Sequence, residues 1–212
     1  NNGFITTQFY TLGLNEFGSK DKIIGGLQDN GTLIANSPVS VSPWQSLLSG
    51  DGGYSAITKN GTFIFGSFQF GKIYRFTLDR NLTRLTFTRI DPAGSGEQDK
   101  LLFVNPYVLA PENQHIMYFA GGDVMWRKLN TAQIPLFRND PTVVNWEKLD
   151  KTSIDDGTIS AVSATYNPYG TVYYGTGNGK LFRIKAAVSS SFTVNGITSD
   201  IFPENAYVSC IA

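Results

Sequence analysis

Cysteine is nearly absent: Cys210 stands alone among the 212 residues, so no disulfide can close within the chain and no thiolate metal site can be assembled from it. A lone thiol of this kind is expected to be buried and inert. Histidine is equally scarce. His115 is the single one, which removes a histidine-based zinc site and makes any Ser/His/Asp or Cys/His mechanism depend on one residue. It closes the turn sequence Pro111-Glu112-Asn113-Gln114-His115, where an exposed side chain is expected. No apolar run approaches the roughly 20 residues a membrane-spanning helix requires, and the N-terminus lacks the basic-then-apolar order of a signal peptide. The first residue is Asn1 rather than Met, as expected if a leader was removed or never included. Excess charge is missing too. Lys plus Arg and Asp plus Glu both number 17, so the field steers neither nucleic acid nor an anionic membrane surface toward the protein. Phosphate-cradling loops are absent, because the glycines precede strands and not helices, and no nucleotide cofactor is indicated.

Aromatic residues make up 13% of the chain, glycine occurs 22 times and charged residues only 16%, the balance of a strand-and-turn protein. A chain of this length buries roughly 70% of its unfolded surface, enough for a core without staples. The expected class is all-β.

Short apolar runs ending in glycine recur: Lys22-Ile23-Ile24-Gly25-Gly26, Thr62-Phe63-Ile64-Phe65-Gly66, Ile116-Met117-Tyr118-Phe119-Ala120-Gly121 and Val172-Tyr173-Tyr174-Gly175. Each is too short for a helix and too continuous for a half-exposed strand, so each reads as a strand buried on both faces. A polar loop and a second strand follow, as Thr32-Leu33-Ile34, Lys72-Ile73-Tyr74-Arg75, Val124-Met125-Trp126-Arg127 and Lys180-Leu181-Phe182-Arg183. The three arginines stand 52 and 56 positions apart. That matches propeller blades of about 40 to 50 residues with loop insertions, and excludes solenoid coils of 20 to 30.

Two more strands complete the unit. One opens on a large side chain, as in Trp44-Gln45-Ser46-Leu47, Phe87-Thr88-Arg89-Ile90 and Trp146-Glu147-Lys148-Leu149; the other follows an acidic or glycine loop, as in Tyr54-Ser55-Ala56-Ile57, 103–109 and Ile159-Ser160-Ala161-Val162. Four antiparallel strands per repeat with no helical pattern between them predict a β-propeller, with a sandwich as the competing architecture. The predicted blades run over residues 1–43, 44–86, 87–145 and 146–200. Phe4-Ile5-Thr6-Thr7-Gln8-Phe9-Tyr10 supplies a first strand, and 201–212 reads as the innermost strand of a fifth blade. The expectation is therefore an arc cut from a larger propeller, whose open blade edges pair with a second copy.

With the strands of a blade lettered a to d outward from the axis, the b–c and d–a loops share one face. It gathers Gln28, Asp29 and Asn30, then Phe68 and Phe70, then Asp123, then Asn178, together with Asp51, residues 91–99 and Asp155-Asp156. Two readings of Asp29 and Asp51 stand. They are a pair of carboxylates flanking a sugar, the minimum for glycoside hydrolysis, or they are tight-turn residues, since Asp, Asn and Gly suit positive φ and local side-chain bonding. As a third reading, Gln28, Asp29, Asn30 and Asp51 offer oxygens to Ca²⁺, though without the spacing of a known calcium loop. Tyr54, Phe68 and Phe70 are the nearby candidates for sugar platforms. The recurring Arg75, Arg127 and Arg183 could form a carboxylate-binding cluster, but an arginine beside an aromatic in every blade reads better as a stem covering the blade and pairing locally. Asn30-Gly31-Thr32, Asn60-Gly61-Thr62 and Asn81-Leu82-Thr83 fit the glycosylation sequon and equally fit ordinary turns.

The stretch Ile24-Gly25-Gly26-Leu27-Gln28-Asp29-Asn30-Gly31-Thr32, followed by Gly50-Asp51-Gly52-Gly53-Tyr54, resembles the QDNGT…GDGG pair of bacterial secreted propellers related to neuraminidase (BNR) repeats, sortilin-type domains and xyloglucanases. The resemblance spans nearly the whole chain. It implies secretion or cell-surface display in a bacterium and, at the positions of Asp29 and Asp51, the acid and base of an inverting xyloglucanase. Two departures qualify that. In those enzymes the acids face each other across a cleft between two propellers, about 6.5 to 9.5 Å apart, whereas Asp29 and Asp51 fall in neighbouring blades. The Asp-box of the repeat family is also missing from the c–d turns. The function expected first is a secreted propeller binding a polysaccharide or a protein through its loop face, and second a glycoside hydrolase fragment.

Overall fold

The computed structural model describes residues 7–15, 22–37, 42–95, 100–197, 203 and 206–212. Among them are four sheets of four antiparallel strands, and no α-helix. The first sheet is β1 (Phe9–Leu14), β2 (Ile23–Leu27), β3 (Gly31–Ala35) and β4 (Gln45–Leu48); the second is β5 (Gly52–Ile57), β6 (Ile64–Phe68), β7 (Ile73–Leu78) and β8 (Arg84–Arg89). The third is β9 (Tyr107–Leu109), β10 (Met117–Ala120), β11 (Met125–Lys128) and β12 (Trp146–Lys148), and the fourth is β13 (Ile159–Ala164), β14 (Val172–Thr176), β15 (Leu181–Lys185) and β16 (Thr193–Gly196). Within each sheet the strands lie in chain order, each hydrogen-bonded to the next. Short 3₁₀ turns occupy Gln69–Gly71 and Asp150–Thr152.

The chain forms two compact units. Asn1–Asp91 with Pro135–Pro141 holds the first two sheets, and Pro92–Ile134 with Thr142–Ala212 holds the other two. The long connection between β11 and β12 thus lends a segment to the first unit, where Phe137 and Arg138 bond to the backbone of β8 at Phe87 and Arg89.

The second strand of every sheet is buried along nearly its whole length: β10 is buried at all four positions, and β2, β6 and β14 at all but one. Apolar residues continuous along these strands serve both faces, as their sequence predicts. In the first unit Ile24, Ile34, Ile57, Ile64 and Phe76 join one core; in the second Tyr118, Met125, Ile159, Tyr174 and Ile184 join another. Glycine sets how closely the first and second sheets approach. A Cβ on Gly26 would stand 2.0 Å from the Gly53 carbonyl oxygen, so no other residue fits.

Pairing moves one strand relative to the sequence boundaries. Breaks at 43/44 and 145/146 fall ahead of the aromatic-led strand and 86/87 falls inside it, whereas that strand closes the preceding sheet: β4 pairs with β3, β8 with β7 and β12 with β11. Of the strand predicted over residues 4–10, β1 begins at Phe9, and residues 4–6 lie outside the described ones. So do 96–99 in the acidic loop and 201, 202, 204 and 205 in the predicted fifth blade. Residues 206–212 join none of the four sheets. Cys210 is exposed rather than buried, because that segment lies at the surface.

Candidate functional site

The turn between β2 and β3 carries Gln28, Asp29 and Asn30, all exposed. Asp29 (φ 58°) and Gly31 (φ 68°) lie in the left-handed region, which Asp and Gly enter at least cost. The turn is fastened from below. The Gly31 N–H donates to the Gly50 carbonyl at 2.6 Å, the Asp29 N–H donates to Asp51 Oδ1 at 2.8 Å, and the Gln69 side-chain amide donates to Asp51 Oδ2 at 3.0 Å. One carboxylate therefore ties together the β2–β3, β4–β5 and β6–β7 connections, the b–c and d–a loops expected to share a face. Asn30 Nδ2 donates to the Gln28 carbonyl at 3.0 Å and to Thr7 Oγ1 at 3.4 Å. Beside these residues lies an open cavity of about 340 Å³, lined by Thr7, Gln8, Gln28, Asp29 and Asn30. Desolvation first, and then the negative charges of Asp51 and Asp29, push the Tyr10 hydroxyl above the usual phenol range.

The second unit builds a related arrangement from different groups. Thr176 Oγ1 donates to Asn178 Oδ1 at 2.5 Å, and Asn178 Nδ2 donates to the Asp156 carbonyl at 3.1 Å, joining the β14–β15 turn to the loop before β13. Asp123 accepts the Ile154 N–H through its backbone carbonyl at 2.9 Å. A cavity of about 250 Å³ is lined by Lys100, Asp123, Asp155, Asp156 and Thr158 among others.

Tyr54, Phe68 and Phe70 are each half-buried. Phe68 meets Tyr74 edge-on with centroids 5.7 Å apart, and the Tyr54 carbonyl accepts Ser67 Oγ at 3.0 Å. Asp91, which the sequence assigns to the loop face, is a buried structural acid: it accepts the Ile73 N–H at 3.0 Å and a two-pronged pair from Arg89 at 2.8 and 2.9 Å. The arginine repeat is structural in detail. Arg75 is 2% exposed and lies 4.7 Å above the Phe63 ring centroid, its guanidinium pKa lowered by desolvation. Arg127 donates to the carbonyls of Ala187 and Ser189 and to the Glu147 carboxylate. Among the described residues, no three His, Cys, Asp or Glu side chains cluster as a metal site.

Thr7 and Gln8 are not among the candidates the sequence offers, and Gln69, though on the same loop face, is not singled out there. Nothing marks Gln69 in sequence, since its role depends on a contact 18 positions away. Thr7 and Gln8 precede β1 and become lining only because that strand runs alongside β2.

No protein-family profile matches this sequence, and no curated protein matches it in sequence. Solved structures do match in shape. The β-propeller domain of Cps50 (Swd1) from Myceliophteria thermophila aligns with a TM-score of 0.53 at 14% identity, over 92% of this chain and 59% of that one. Sqt1 from Saccharomyces cerevisiae aligns with a TM-score of 0.50 at 11% identity, over 92% of this chain and 63% of that one. This chain thus spans about six-tenths of the length of the structures it matches. At such identities the likeness carries the fold and not the activity, and it lends nothing to the resemblance to neuraminidase repeats, sortilins and xyloglucanases. The chain is an all-β protein of four four-stranded antiparallel blades in the β-propeller fold.

Proposed function

We propose that this chain is a recognition module that binds a protein partner through the exposed loop turns of its first two blades. The observation that carries the reading is the Asp51 anchor, which holds Gln28, Asp29 and Asn30 exposed on a fixed base beside an open polar cavity. Rigidly mounted turns with free amide and carboxylate groups suit hydrogen bonding to a partner's backbone and polar side chains. A polysaccharide is supported less, because sugar stacking calls for open aromatic faces and Tyr54, Phe68 and Phe70 are half-buried. Display outside a bacterial cell belongs to this reading through the QDNGT…GDGG resemblance.

The test is capture from native extract on the immobilised chain, compared with a Gln28→Ala/Asn30→Ala variant and with a panel of soluble glycans. A protein retained by the parent and lost by the variant is expected. Equal retention by both would overturn the assignment of the site.

Glycoside hydrolysis is the second reading and rests on the resemblance of Asp29 and Asp51 to an inverting acid pair, although the contact between them runs from the Asp29 N–H to the Asp51 carboxylate. Release of reducing sugar from xyloglucan, abolished by Asp29→Ala, would establish it.

A further inference from the structure

Asn30-Gly31-Thr32, Asn60-Gly61-Thr62 and Asn81-Leu82-Thr83 all fit the N-glycosylation sequon, and the fold treats them differently. An acceptor needs a side-chain amide free to turn toward a sugar donor and an accessible hydroxyl two residues on. The amide nitrogen is a weak nucleophile because its lone pair is shared with the carbonyl, so a transferase has to twist the group out of its plane. Hydrogen bonds that pin the amide oppose that twist.

Asn30 fails on both counts. Its Nδ2 donates to the Gln28 carbonyl at 3.0 Å and to Thr7 Oγ1 at 3.4 Å, and Thr32 is fully buried in β3. Asn60 is exposed but pinned, since its Oδ1 accepts Thr58 Oγ1 at 2.9 Å and the Thr62 N–H at 3.0 Å.

Asn81 meets both requirements. The turn between β7 and β8 closes as the Leu82 N–H donates to the Asp79 carbonyl at 3.1 Å and the Asp79 N–H to the Thr83 carbonyl at 2.9 Å. Asp79 Oδ1 accepts the N–H groups of Asn81 and Thr83, both at 2.8 Å, so the acid two residues ahead of the triplet shapes it. Leu82, at φ 65°, is 4% exposed and packs into the core of the first unit. Anchoring the middle residue leaves Asn81 and Thr83 exposed on either side of it. From the first blade, Asn36 Nδ2 donates to the Arg80 carbonyl at 3.2 Å and Gln45 Nε2 to the Asn81 carbonyl at 3.0 Å. Each bond to Asn81 uses its backbone, and its side-chain amide enters none among the described residues. These contacts set the turn beside the β3–β4 connection, at the other end of β3 from Gln28, Asp29 and Asn30. A bulky substituent there leaves the proposed binding turns clear.

We propose that Asn81 is the acceptor of an N-linked glycan, an inference that rests on the display outside the cell adopted above. Asn81 Nδ2 attacks the anomeric carbon of a lipid-pyrophosphate-linked oligosaccharide. The new C–N bond replaces the bond from that carbon to the pyrophosphate oxygen, the lipid pyrophosphate leaves, and Nδ2 gives up one proton to a base of the transferase.

The test uses a purified bacterial oligosaccharyltransferase, with its lipid-linked donor, that modifies a synthetic peptide of residues 77–87. It is applied to the folded 212-residue chain and read by intact mass and peptide mapping, with circular dichroism confirming that every variant keeps its β-sheet signal. A single glycan on the peptide holding Asn81 is expected. Asn81→Gln and Thr83→Ala should each abolish it, and Asn60→Gln should leave it unchanged. A folded chain left bare by the enzyme that modifies the peptide, or a glycan that persists in Asn81→Gln, would overturn the proposal. Export plays no part in this assay. Native display is a separate measurement, since protease added to intact source cells removes a displayed chain whether or not Asn81 carries a glycan.

Discussion

Asp51 grips Asp29 by its backbone and not by its carboxyl: Asp51 Oδ1 accepts the Asp29 N–H at 2.8 Å while Oδ2 accepts the Gln69 amide at 3.0 Å. The two acids that the sequence offers as equals are unequal in the fold. One is a clamp, and the other is the exposed tip that the clamp holds.

The difference predicts opposite outcomes for similar substitutions. Asp51→Ala removes a carboxylate bonded to two donors from different loops and should cost about 1 to 2 kcal/mol, the range for hydrogen bonds to a charged, partly exposed group. Asp29→Gly should change stability by less than about 0.5 kcal/mol, because its side chain takes no part in the clamp and its φ of 58° suits glycine. Urea unfolding of both variants checks this. A larger loss from Asp29→Gly would mean that its carboxylate, and not the turn, is the structural element.

A second prediction concerns how closely the first two blades meet. At Gly26 a Cβ would stand 2.0 Å from a backbone oxygen that cannot rotate away, so Gly26→Ala should destabilise by about 3 kcal/mol, the upper range for overpacking. Gly94 has nothing among the described residues within 4 Å of its virtual Cβ, and Gly94→Ala should cost only the roughly 1 to 2 kcal/mol of a left-handed alanine at φ 83°. Thermal melts of the pair separate packing from backbone strain, and equal shifts would contradict the close approach.

Most of the strand pattern was legible because it is local. Runs such as Met117-Tyr118-Phe119-Ala120 announce a strand buried on both faces, and the recurrence of aromatic-then-arginine gives the period. The grouping of the fourth strand was not legible, since Trp146 fits before or after a boundary until the pairing of Lys128 with Trp146 decides it. Loop chemistry was harder still. Asp29, Asp51, Asp91 and Asp123 read alike along the chain, yet one is a turn tip, one a clamp, one a buried partner of Arg89, and one lends only its carbonyl. Those roles come from three-dimensional contacts, within the second blade for Asp91 and between connections for the others, which the residue type alone does not encode.

Alkaline pH should expose the buried tyrosines. Burial pushes the hydroxyls of Tyr107, Tyr118 and Tyr174 well above the usual phenol range, with Arg127 opposing only part of the effect at Tyr118. A group whose folded pKa is raised keeps its proton longer in the folded state than in the unfolded one. Stability is therefore undiminished below about pH 10 and falls as pH rises beyond it, where the unfolded phenols ionise first. Absorbance at 295 nm should show part of the ten tyrosines ionising near their normal pH and the rest only together with loss of the β-sheet signal. Complete ionisation before any unfolding would contradict the burial of these three.

Arg127 provides the sharpest test of what joins the third blade to the fourth. Its side chain is 2% exposed and reaches two carbonyls of the fourth blade, while its carboxylate partner Glu147 is 45% exposed. An ion pair with one member in water is worth little, so Glu147→Gln should cost about 0.5 kcal/mol. Arg127→Met fills similar space but leaves the Ala187 and Ser189 carbonyls without their charged donor, and should cost about 2 to 3 kcal/mol. If the bridge to Glu147 were instead the main attachment, Glu147→Gln would approach the loss from Arg127→Met, and the double variant would be no worse than either single one. Denaturant titration of the three variants decides between carbonyl anchoring and ion pairing.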